Sequence, residues 1–79
     1  MTANSAPQAQ SKDAWYSHLQ DRAALMANPG GHHRALIEHA RVLYGADMIN
    51  RDELSDLLEQ ADGALAYAVE ALLDEQEAG

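Results

Sequence analysis

Between residues 12 and 27 the apolar positions recur at helical spacing. Trp15, Leu19 and Met26 fall on one face, with Tyr16, Ala23 and Leu25 at its edges. This predicts a helix over about 12–27 with Ser11 as its N-cap. Arg22 lies in the middle of that face, which predicts a stem laid over apolar surface and a guanidinium reaching an acid on another helix. Asn28-Pro29-Gly30-Gly31 then reads as a stop and a turn. A second apolar face, Leu36, Ile37, Ala40, Leu43 and Tyr44, predicts a helix over about 32–44 that Gly45 ends.

The third pattern is the longest. Leu54, Leu57, Leu58, Ala61, Leu65, Ala68, Val69 and Leu72 hold one stripe and keep phase across Asp62-Gly63. One helix over about 51–76 is therefore predicted, roughly 39 Å long at 1.5 Å per residue. Asn50 with Glu53 has the spacing of a capping box, and Ile49 with Leu54 that of a hydrophobic staple. Residues 1–10, mostly Ala, Gln, Asn, Ser and Pro, offer nothing to bury and read as a disordered tail. The expected fold is all-α: a small three-helix bundle in a single domain over 11–79, two shorter helices and one long amphipathic C-terminal helix.

Composition sharpens this in two ways. The chain has 79 residues and no cysteine. Small cores need support, and disulfides and thiolate metal sites are excluded, leaving packing, association or a histidine/carboxylate metal. The net charge of −8 is also uneven. Residues 1–46 carry four Lys/Arg against three Asp/Glu, while residues 47–79 carry one Arg against ten Asp/Glu. Such a field disfavours nucleic acid and anionic membrane surfaces and suits a basic protein partner. No apolar run nears the roughly 20 residues that span a bilayer, and the start "MTANSAPQAQS" lacks secretory features, so a cytoplasmic location is expected.

The third helix places Asp52, Asp56, Glu59, Gly63, Tyr67, Glu70 and Asp74 on the face opposite its stripe, at intervals of three and four. A row of acids with one aromatic and one residue lacking a side chain fits a docking face for a basic partner, of a regulatory or inhibitory kind. Val42, on the polar side of the second helix, and Leu65, Val69 and Leu72, beyond the reach of two short helices, are candidates for self-association into a homodimer. The stretch "LIEHARVLYGADMINRDELSDLL" resembles short helical oligomerisation domains at the ends of many bacterial proteins, through Gly45, Ile49, Asp52, Glu53, Leu57 and Leu58. That resemblance covers under a third of the chain and implies association. Against the pattern stand a two-residue insertion before Met48, the run beyond Leu58 and the absence of a Lys-rich last helix.

Four histidines sit in the first half of the chain. His18, His32 and His39 form the alternative reading, a metal site completed by Asp21, Glu38 or a second chain. His32 and His39 are two turns apart on one helix, roughly 10 Å, which is far for one ion to bridge. The preferred reading makes all four histidines helix-start and interface-edge residues bonded to carbonyls or carboxylates, so that exchanging any of them costs little. No serine sits in a nucleophile motif and the paired carboxylates look solvated, so neither enzymatic activity nor a cofactor is expected.

Overall fold

A computed structural model describes residues 11–78 of the chain, and side chains as far as residue 75. The expectation of a disordered tail over 1–10 lies outside the described residues. Those residues form four helices and no strand: α1 (Lys12–Leu19), α2 (Arg22–Ala27), α3 (Pro29–Gly45) and α4 (Arg51–Ala78). The all-α class stands, and among the described residues there are four helices rather than three.

The additional helix arises from a break in the expected first one. Gln20 caps α1 with backbone angles outside the helical region, and Asp21 restarts the chain by accepting the Ala24 N–H at 3.1 Å. Asp is a strong N-cap because its oxygen satisfies an otherwise orphaned donor of the first turn. Breaking there re-phases the apolar face, so that Leu25 rather than Met26 is buried.

The start of α3 also differs from expectation. Asn28 is the N-cap of α3, not part of a turn, and its side-chain oxygen accepts the Gly31 N–H at 3.1 Å. Pro29 occupies the first turn, where its missing N–H and fixed φ cost nothing. The helix therefore begins three residues earlier than the glycines suggested. At its other end Gly45 is still helical and Ala46 is the cap. Asp47 takes the left-handed conformation at φ 60°. The Met48 N–H reaches the Leu43 carbonyl at 2.9 Å and the Asp47 N–H reaches that of Tyr44 at 3.1 Å. This is the Schellman pattern of paired terminal bonds.

The reciprocal capping box at α4 is present: the Asn50 N–H donates to Glu53 Oε1 at 2.9 Å, and the Glu53 N–H to Asn50 Oδ1 at 2.8 Å. From there α4 runs unbroken through Asp62-Gly63 for 28 residues. It pairs antiparallel with α3, and α1 lies across both. Trp15, Leu36, Ala40, Leu43, Ile49, Leu57 and Ala61 form the core, with Tyr16, Leu19, Ile37, Leu54 and Leu58 packed against it. Trp15 is fully buried and its Nε1–H donates to the Leu36 carbonyl at 2.9 Å, tying α1 to the middle of α3. An indole is buried at low cost only when its one donor is satisfied.

The helical glycines give a sharp test of these boundaries. A methyl group at Gly63 or Gly30 would meet nothing within 4 Å. At Gly31 it would lie 2.4 Å from Asn28 Nδ2, against the side chain that caps the helix. Gly63→Ala is expected to stabilise the fold by about 0.5–1 kcal/mol through helix propensity. Gly31→Ala is expected to destabilise it, because loss of the cap costs about 1 kcal/mol and outweighs the propensity gain in a first turn. Urea midpoints of the two variants should move in opposite directions. Movement in the same direction would show that Asn28 does not cap α3.

Candidate functional site

The acids predicted as a docking face all lie on the outside of α4. Asp52, Asp56, Glu59, Gly63, Tyr67, Glu70 and Asp74 are exposed, Tyr67 by 48%. They share the face because core contact fixes the opposite side of α4 through Leu57, Ala61 and Ala68. Two members are already engaged. Asp56 accepts from Gln60 Nε2 at 3.0 Å, and the same amide donates to the Tyr16 hydroxyl at 3.2 Å. Tyr67 accepts a hydrogen bond from Arg22 Nη1, and the guanidinium carbon lies 5.2 Å from its ring centroid.

That last contact corrects one expectation and modifies another. Arg22 is exposed and meets a tyrosine, not an acid. The break at Gln20-Asp21 turns α2 so that its first residue lies beside Tyr67. The middle of the acidic face therefore carries a cation, and the ring offered to a partner is partly occupied by the chain's own arginine. Asp52, Glu59, Glu70 and Asp74 form no ion pair among the described residues. Nothing in the sequence pointed to the Arg22–Tyr67 contact, because the two are 45 positions apart.

The candidates for self-association divide into two groups. Val42 is 48% exposed on α3 and Val69 is 45% exposed on α4, while Leu65 and Leu72 are half-buried. Leu73, 51% exposed one turn beyond Val69, joins that patch and was not anticipated. His33 Nε2, 2.8 Å from Asp62 Oδ1, marks which positions of α3 and α4 lie side by side. Val42 lies nine residues beyond His33 toward the start of α4, and Val69 seven residues beyond Asp62 toward its end. At 1.5 Å per residue they stand roughly 24 Å apart along the bundle and cannot form one patch.

The histidines are closer together than their spacing suggested. His32 is 5% exposed, and its Nε2–H donates to the His18 carbonyl at 2.8 Å. The His18 and His32 rings meet edge to face with centroids 4.5 Å apart. His39 Nε2 and His32 Nδ1 are buried without a hydrogen-bond partner. Burial first, and then the charge of nearby His18, hold His39 below its ordinary value. His33 pairs with Asp62 across the α3–α4 seam. Carbonyl and carboxylate partners were expected, and His32 and His33 have them. His32 is nevertheless a core residue, not an edge residue. The reason is the early start of α3, which places position 32 inside the helix on its buried face. Among the described residues no three His, Asp or Glu side chains are set to share one ion, so the His18/His32/His39 metal arrangement does not assemble there.

On the far side of the bundle, Lys12 Nζ lies 2.7 Å from Glu53 Oε2, linking α1 to the capping box of α4. The Lys12 hydrogen bond and then the Asn50 N–H hold the Glu53 carboxyl below its ordinary value, and the Glu53 hydrogen bond raises Lys12. No pocket opens among the described residues, and no described helix is long and apolar enough to cross a membrane. Compared with known proteins, the chain matches no family model, no curated sequence and no solved structure.

Proposed function

We propose that this chain is a small non-catalytic interaction module that docks a basic protein partner through the outer face of α4. The observation that carries the reading is the state of that face. Asp52, Glu59, Glu70 and Asp74 lie exposed along one side of a rigid helix, with no cation paired to them among the described residues, and a half-exposed aromatic lies between them. A rigid row loses little entropy on binding, and its field steers a positively charged partner. Tyr67 supplies the contact area that charges lack, since exposed tyrosines are frequent anchors. Arg22 sets the geometry of entry: a partner either stacks against the Arg22–Tyr67 pair or displaces the guanidinium with its own.

Self-association is the second part of the proposal. The patch around Val69 and Leu73, edged by Leu65 and Leu72, lies on the C-terminal half of α4, and its burial in a homodimer would add to a small core. Val42 belongs to a separate surface. Cytoplasmic residence fits this role.

The test is affinity capture from the native cell, followed by titration of the purified partner. Glu59→Lys, Glu70→Lys and Asp74→Lys together should slow association, as should salt, because exposed charges are screened beyond about 10 Å at 0.1 M. Tyr67→Ala should weaken binding by about 2 kcal/mol. A partner that binds the charge-reversed and Tyr67→Ala variants as tightly as the natural chain would rule this face out. For the dimer, Val69→Glu with Leu73→Glu should give a monomer by sedimentation, and an already monomeric natural chain at high micromolar concentration would remove that part of the proposal.

A further inference from the structure

The C-terminal half of α4 runs on past the helix it pairs with. His33 and Asp62 stand side by side, and α3 begins at Pro29, four residues before His33. The two helices are antiparallel, so the start of α3 lies beside about Ala66. From there α4 continues to Ala78, roughly 18 Å further at 1.5 Å per residue. Val69 and Leu73 follow Asp62 by seven and eleven residues, so they return to the line of α4 that faces α3. Both are exposed because, among the described residues, no helix continues the line of α3 beside them. Another flank of the same stretch is taken by α2, through Arg22 on Tyr67.

We infer that this vacant lane is filled by α4 of a second copy, the two C-terminal halves packing antiparallel about a twofold axis so that each completes the other's bundle. This rests on the homodimer reading above and fixes its geometry. Direction comes first: α3 is antiparallel to α4, so the lane takes an antiparallel helix. A twofold axis perpendicular to α4 supplies one, and the same residues then fill both lanes. Charge comes second. An α4 running antiparallel brings its C-terminus up to the start of the other copy's α3, where Asn28 and Gly30 are exposed. The first turn of α3 holds no acid, and the last turn of α4 holds no base. Each end therefore lacks the charge that would balance its helix dipole. Pairing them sets the carbonyl end of one helix, with Asp74 and Glu75 close before it, against the N–H end of the other.

The chain's own first ten residues, MTANSAPQAQ, fit the lane poorly. They hold no Leu, Ile, Val or aromatic. They also lead into α1 at Lys12, which is tied to Glu53 near the opposite end of α4. A twofold axis of this kind keeps the acidic rows of the two copies on one side of the pair, so a basic partner meets carboxylates from both.

The experiment places a spin label on Gly63→Cys, the chain's only cysteine, at a position where an added Cβ meets nothing within 4 Å. Sedimentation of the labelled full chain gives its oligomeric state, and pulsed electron spin resonance gives the distance between labels. Centred near residue 72, the antiparallel pair should hold the two labels about 30 Å apart, from roughly 27 Å along the axes and an interaxial spacing of about 8–10 Å. Val69→Glu with Leu73→Glu should abolish that distance. A parallel pair, or one that seats the Val69 patch of each copy on the Val42 surface of the other, brings the labels within about 20 Å. A dimer with any distance outside about 25–35 Å overturns the lane and leaves the homodimer standing, as does a dimer that survives the two glutamates. A chain that is monomeric at high micromolar concentration overturns both and leaves the acidic docking row untouched.

Discussion

Trp15→Ala is expected to unfold most of the population or leave it barely folded, with a loss of about 3–5 kcal/mol. Trp15 is fully buried at the meeting point of α1, α3 and α4, and its neighbour Tyr16, edge to face with it at 5.3 Å, is only partly buried. A chain of this size commands only about 4–12 kcal/mol in total, from roughly 0.05–0.15 kcal/mol per residue, so one indole carries a large share. Trp15→Phe separates the two things the residue does. Phenylalanine keeps most of the apolar volume and gives up the bond to the Leu36 carbonyl, which as a helical carbonyl still has its backbone donor. Its expected cost is about 1–2 kcal/mol. Urea unfolding followed by circular dichroism measures both. Equal losses for Phe and Ala would mean that the hydrogen bond, not the packing, holds α1 in place.

His32→Ala is the second largest expected effect, about 2 kcal/mol or more, from a cavity and one lost hydrogen bond. The His18 carbonyl keeps the Asp21 N–H at 3.1 Å, so no acceptor is orphaned and the loss stays below that of Trp15. His33→Ala gives up only a half-exposed contact to Asp62, whose side chain is 71% exposed, and should cost within about 0.5 kcal/mol. His32→Leu should fall between the two, since it fills the space and removes the unpartnered Nδ1 along with the bond. Denaturant midpoints at pH 7.5 rank the three variants. If His32→Ala proves no worse than His33→Ala, the buried position of His32 is not what it contributes.

These two residues also show where the sequence was legible. Trp15 could be placed in the core from spacing alone, because a large aromatic on a helical stripe has nowhere else to go. His32 could not, because its burial depends on where α3 begins. The local signal was present: Asn28 followed by Pro29 is a cap and a first-turn proline as readily as a turn. The glycines after them outweighed it, although Gly is tolerated in a first turn. Asp21 shows the same limit. Its capping chemistry was readable, but the apolar face ran through it in phase, and only the packing of α2 beside α4 made the break favourable.

By itself the sequence determined the all-helical class, the unbroken α4 with its Asn50–Glu53 box, the core stripe and the exposed acidic row. Each of these follows from interactions within about four residues, which spacing encodes directly. Tertiary structure decided the rest: the division of the first helix, the left-handed turn at Asp47, Arg22 on Tyr67, the separation of Val42 from Val69, and the gathering of His18, His32 and His39. These contacts join distant parts of the chain, and their register is set by how α1 and α2 fold back on the α3–α4 hairpin. That register is fixed by packing of whole helices, which no local pattern specifies.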